Sequence, residues 1–163
     1  MPLTRVRTGG ITDANITAVK VANNALNVPA FHASLSSDTS ISTGTGTRVP
    51  FDTELFDSDG TYDNSSNYRF TPAVAGKYFI YTSVRISSTS DFNNFQLYIN
   101  KNGSTALFSN QGHLHYETNK VIGIVDSDAD DYFDVFMYQD SGGNVSARGL
   151  AYETYFGGFR ITT

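Results

Sequence analysis

Residues 70–86, FTPAVAGKYFIYTSVRI, constrain the fold more than any other part of the chain. At a period of two, Tyr78, Ile80, Thr82, Val84 and Ile86 fall on one face of a strand, and Phe79, Tyr81, Ser83 and Arg85 fall on the other. A half-buried strand needs an apolar row on one face only. The second set of aromatics therefore requires a partner of its own, from this chain or from another.

The rest of the sequence agrees with a sheet protein. Its 163 residues include 12 Phe and 10 Tyr, no Trp and only 17% charged residues. No window longer than about ten residues carries a helical apolar stripe. Alternating runs predict strands at 31–35, 49–51, 68–70, 78–86, 95–99, 113–117, 120–125, 132–139, 144–147 and 154–161. DSDG at 57–60 and NKNG at 100–103 punctuate them, the second as a strong hairpin signal. About ten short strands with a turn every eight to twelve residues describe an antiparallel sandwich, and the length suits a single core. Residues 1–29 stand apart, since they contain no aromatic and end at Pro29. They read as an N-terminal arm, with residues 30–163 as the domain. A weak helix over 13–26, capped by Asp13, competes with an extended arm, although the β-branched residues and the Asn23–Asn24 pair oppose it.

Several classes of function are excluded or left without support. The net charge of -5, with basic residues near the start only at Arg5 and Arg7, argues against a nucleic-acid surface. No cysteine is present for a disulfide, a thiolate metal site or a nucleophile. No apolar run of about 18 residues predicts a membrane span, and no signal-peptide pattern opens the chain. No P-loop, GxSxG, HExxH or dinucleotide fingerprint occurs, so no enzyme is expected. The carboxylates Asp126, Asp128 and Asp130 in DSDADD could hold calcium, but Asp131 stands where an EF-hand needs Gly and Met137 where it needs the distal Glu. The run reads as a solvated turn, as does the group Asp57, Asp59 and Asp63. His113 and His115 share a strand face, with His32 as a distant third, and read as surface residues. No metal and no cofactor is expected.

The series Phe51, Asp57, Tyr62, Phe70, Gly76 and Tyr78 resembles the signature of the complement C1q globular head, a branch of the tumour necrosis factor-like jelly rolls. Ile80 and Thr82 depart from it where aromatics are usual, and the Tyr62-to-Phe70 gap is one residue out. PAFHASL at 29–35 is similar to the family's first strand, DDYFDVFMYQ at 130–139 to its penultimate region and YFGGFRI at 155–161 to its closing strand. The resemblance implies an all-β, ten-strand antiparallel jelly-roll sandwich that assembles as a compact homotrimer with one sheet around the threefold axis. Phe79 and Tyr81, or else the Tyr78 and Ile80 set, would then face a neighbouring chain. In the arm, GGITDANIT followed by AVKVANNAL resembles the Ile/Thr-rich linkers of bacteriophage tail-fibre and virion proteins, and no collagen stalk is present.

These resemblances imply a non-enzymatic structural protein, made in the host cytoplasm and placed on the virion surface. The leading expectation is a trimeric capsid cement or decoration protein, because a short arm leaves no room for a shaft. Arg5, Arg7, Ile11, Ile16 and Val19 would anchor it on the major capsid protein or another virion protein. The alternative is the receptor-binding head of a tail or capsid fibre, recognising a host surface glycan or protein through loops such as YDNSSNY at 62–68. A secreted bacterial C1q-like lectin is a more distant alternative.

Overall fold

The computed structural model describes residues 28–88, 93–111 and 118–162. The anchoring residues Arg5, Arg7, Ile11, Ile16 and Val19, the helix weighed over 13–26, and His113 and His115 lie outside the described residues. Thirteen strands follow one another: β1 (Ala30–Ser34), β2 (Thr39–Ile41), β3 (Thr47–Arg48), β4 (Thr53–Asp57), β5 (Tyr62–Asp63), β6 (Arg69–Phe70), β7 (Gly76–Ser87), β8 (Phe95–Lys101), β9 (Ser104–Gln111), β10 (Thr118–Ser127), β11 (Phe133–Gln139), β12 (Val145–Ala147) and β13 (Tyr155–Thr162). No helix occurs among the described residues.

The strands form two antiparallel sheets. One runs β2-β12-β7-β13-β1-β4, with β10 on the free side of β7, and the other runs β5-β6-β11-β8-β9, with β3 also on β11. β7 is the spine of the first sheet, since residues 77–83 pair with β13 on one side and β10 on the other. Its inward row, Tyr78, Ile80, Val84 and Ile86, meets Phe95, Leu97 and Ile99 of β8 and Phe133, Val135 and Met137 of β11 in one core, all at 0% exposure. Tyr78 and Ile80 therefore do not face a neighbouring chain; this half of the interface expectation is corrected, because the sandwich's own second sheet covers them.

Aromatic stacking closes the end of the core beside β1 and Pro29. Phe31 lies against Tyr62 at 4.8 Å and Phe70 at 4.4 Å, with the edge of Phe156 at 4.9 Å. The Tyr62 hydroxyl donates to the carbonyl of Phe51 at 3.0 Å, which settles the one polar atom of the cluster. Val49 and Phe51 are buried but belong to an irregular segment rather than a strand. At the opposite end, the buried Gln139 amide donates to the carbonyls of Ile41 and Gly143. The NKNG turn forms as expected, with Asn102 (φ 52°) and Gly103 (φ 77°) both in the left-handed region that a two-residue type I′ turn demands.

Phe31→Ala removes the ring on which three others rest. It should cost about 3–5 kcal/mol of stability by the usual cost of deleting a buried Phe, read as a fall in the urea midpoint with an unchanged slope.

A candidate assembly face on the seven-stranded sheet

The outward face of the first sheet is built by alternation along its strands. Phe79 and Tyr81 point outward from β7 because Tyr78 and Ile80 point in. Register then fixes their neighbours: Ile122 and Ile124 of β10 lie opposite Tyr81 and Phe79, and Phe159 of β13 lies on the other side of Phe79. Ile122 and Ile124 are 60% and 61% exposed. Phe79 touches Tyr81 at 5.9 Å and Phe159 at 5.3 Å between ring centres, so the rings form a continuous strip.

Gly157 occupies the position on β13 beside Tyr81. A Cβ there would stand 2.4 Å from the Tyr81 hydroxyl, so the phenol lies flat across the missing side chain. It thereby reaches β1 on the far side, where its hydroxyl is 3.0 Å from Nδ1 of His32. The imidazole sits between Tyr155 at 5.4 Å and Phe56 of β4 at 6.4 Å. Burial lowers the His32 pKa from its ordinary value, and burial followed by the neighbouring Tyr155 raises that of Tyr81. The strip is thus held uncharged at neutral pH. Ion pairs bracket it at both ends, Lys77 with Asp126 at 2.5 Å and Arg85 with Glu153.

The other sequence candidates are dispersed. Asp126 reaches Lys77 on this face, whereas Asp131 turns away to Lys101 at 2.7 Å and Asn102 at 2.6 Å. Burial would raise the Asp131 carboxyl, but hydrogen bonds from Lys101, the Asp128 N–H and Asn102 bring it below its ordinary value. Asp128 and Asp130 are exposed. No group of three His, Cys, Asp or Glu side chains able to share a metal ion occurs among the described residues. YDNSSNY forms the β5–β6 hairpin on the edge of the second sheet, where the Asp63 carboxylate accepts the N–H groups of Ser65, Ser66 and Asn67 and is held far below the usual carboxylate range by them. That loop spends its polar groups on itself.

Sequence reasoning found Phe79 and Tyr81 but missed His32, Phe56, Ile122, Ile124, Tyr155 and Phe159. The alternation Ile122-Gly123-Ile124 and the run YFGGF carried the signal for four of them. His32 and Phe56 join the strip only through register.

Comparison with known proteins agrees with this architecture. No family model matches the chain. A crystal structure of murine APRIL at pH 8.5 superposes with a TM-score of 0.63 at 14% identity, covering 80% of this chain and 97% of that one. The globular domain of zebrafish complement 1qA gives 0.58 at 16% identity, covering 82% and 97%, and Eiger TNF from S. frugiperda gives 0.55 at 12%, covering 82% and 90%. The fold is a C1q/TNF-type jelly roll. In sequence, the chain is 27% identical over 113 residues to the phage-like element PBSX protein XkdV of Bacillus subtilis (strain 168), a match covering 63% of this chain and 16% of that protein. The matched region thus spans about a sixth of the relative's length.

His32 gives the face a pH dependence of stability. Its folded pKa lies below the ordinary 6.5, so the unfolded chain binds the proton first. Stability is complete above about pH 6.5 and falls as the pH drops through that value toward the folded pKa. Melting temperatures between about pH 5 and 7 should therefore rise with pH, and His32→Gln should flatten that part of the curve.

Proposed function

We propose that this chain is a non-enzymatic structural protein of a phage virion, a homotrimer whose seven-stranded sheets pack around the threefold axis, held on the capsid as a cement or decoration protein by residues 1–29. One observation carries the assembly. The strip formed by Phe79, Tyr81, Phe159, Ile122 and Ile124 is continuous, with Ile122 and Ile124 exposed and the three rings half-buried. Apolar surface of this kind, rimmed by charge, is the mark of an interaction surface, and closed symmetric assembly is the common way to bury it. The likeness to a phage-like element protein supports the virion setting.

The arm leaves the domain at Val28 and Pro29, beside a pocket lined by Asp59, Pro72, Ala73 and Val74. Three arms on one trimer would multiply weak contacts into firm attachment. The match to a segment of a much longer relative favours a second reading, the head of a tail or capsid fibre, in which the same domain ends a shaft.

Light scattering should give the mass of three chains, and Phe79→Asp or Tyr81→Asp should give monomers, because an unpaired charge in a desolvated interface costs several kcal/mol. A monomeric wild type would remove the basis of the proposal. A chain lacking residues 1–29 should still form trimers yet fail to bind particles deprived of this protein; equal binding by full-length and truncated chains would move attachment to the head. No metal enters the proposal, so a chelator should leave the melting temperature unchanged.

A further inference from the structure

The sequence contains one Asn-Gly pair, Asn102–Gly103, and it forms the tip of the β8–β9 hairpin. In an unstructured chain such a pair is chemically short-lived. The backbone nitrogen of the glycine attacks the side-chain Cγ of the asparagine, a C–N bond forms, the attacking nitrogen gives up its proton and the side-chain amide leaves as ammonia. Water then opens the five-membered imide at one carbonyl or the other, which leaves Asp or isoaspartate in place of Asn. Glycine favours the reaction because it puts no side chain in the path of ring closure. Asn102 and Gly103 are both exposed, so solvent water and base reach them.

Conformation opposes the reaction. With φ at 52° for Asn102 and 77° for Gly103 the turn is type I′, whose first central residue has a ψ of about +30°. The imide ring instead needs Cβ of Asn102 nearly eclipsed with the Gly103 nitrogen, a ψ of about −120° as in a type II′ turn. In the type I′ turn Cβ lies almost anti to that nitrogen. Ring closure therefore requires the Asn102–Gly103 peptide to flip. The side chain is held separately. Asn102 Nδ2 donates to Asp131 Oδ1 at 2.6 Å, Asn102 Oδ1 accepts the Tyr132 N–H at 3.0 Å, and the Asn102 N–H donates to the Tyr132 carbonyl at 3.0 Å. Asp131 is fixed in turn by Lys101 at 2.7 Å and by the Asp128 N–H at 2.6 Å.

We propose that Asn102 is a latent modification site, kept unreacted in the folded protein by the type I′ turn and by the clamp of Asp131 and Tyr132, and deamidated when the hairpin tip parts from that clamp. While both atoms of the amide are bound to residues 131 and 132, Cγ is not free to swing toward the Gly103 nitrogen. The rate of conversion is then set by the fraction of time the tip is open. The change runs one way. Asp at 102 has no N–H to give and sets a second carboxylate against that of Asp131, a like-charge contact. Isoaspartate adds a methylene to the backbone of a two-residue turn, so the hairpin register at Lys101 and Ser104 no longer fits.

This inference goes beyond the virion reading and does not rest on it. It gives Asp131, the buried carboxylate of DSDADD, a task other than holding a metal. It also joins two segments that the assembly face leaves aside, the β8–β9 tip and the turn before β11.

The experiment incubates the full chain at mildly alkaline pH and follows residue 102 by peptide mapping, with mass spectrometry for the amide-to-acid change and an isoaspartate assay for the second product. The folded wild type should convert at least about tenfold more slowly than the same chain unfolded in guanidinium, a ratio worth about 1.4 kcal/mol. Asp131→Ala should raise the rate in the folded protein toward the unfolded one. Lys101→Met removes the ion pair but leaves the amide clamp, so it should convert as slowly as the wild type. Asp131→Asn, which keeps an acceptor for Nδ2, should retain most of the protection. If Asp131→Ala does not fold, Asp131→Ser takes its place, since its short side chain keeps a hydroxyl for the turn but does not reach Asn102. Equal rates in folded and unfolded wild type would overturn the proposal. So would a folded Asp131 variant without the clamp that converts no faster than the wild type, or a Lys101→Met chain that converts as fast as Asp131→Ala.

Discussion

Gly157 and Gly158, adjacent on β13, are the constraint around which both faces of the first sheet are arranged. Neighbours along a strand point to opposite sides, so the pair removes one side chain from the outer face and one from the core. On the outer side the Tyr81 phenol fills the gap and reaches His32. On the inner side a Cβ at Gly158 would stand 3.3 Å from Ile80 and 3.4 Å from Phe31, so the aromatic stack around Phe31 occupies the second gap. Side chains at these two positions would push the β7 aromatics off one face and the β1 aromatics off the other.

From that pairing follows a division of labour between the sheets. The first presents rings and isoleucines whose polar atoms are satisfied within the strip, Tyr81 with His32, and whose charges are kept to the ends. A surface of that kind gains most from a dry, symmetric contact. The second sheet also presents rings, but it sets them beside the ion pair of Arg48 with the buried Asp134. The two sides of one sandwich thus offer different chemistry, although their aromatic content is similar.

How much of this was legible in the sequence varies from element to element. The inward and outward rows of β7 were legible because strict alternation over ten residues leaves little choice of register. The NKNG turn was legible because two consecutive left-handed residues need Asn and Gly. β9 was not, since STALFSNQ lies at a sheet edge with only Leu107 packed on the core, and an edge strand held by backbone pairing carries a weak apolar pattern. Val49 and Phe51 misled in the opposite direction. They alternate like a strand and are buried like one, yet an irregular segment delivers them to the core.

By itself the sequence determined the all-β class, the spine strand with two apolar faces and the absence of a Cys-based site, because these depend on residue types and on spacing along one segment. The tertiary structure alone decided which face of β7 turns to the core and which stays open, since that depends on where the second sheet packs. It alone brought His32, Phe56, Tyr81 and Tyr155 together from four strands, and placed Asp134 between Arg48 and Asn100. Those meetings are set by cross-strand register between segments as many as 123 residues apart (155 − 32), and no local pattern encodes a register that only the closed sandwich enforces.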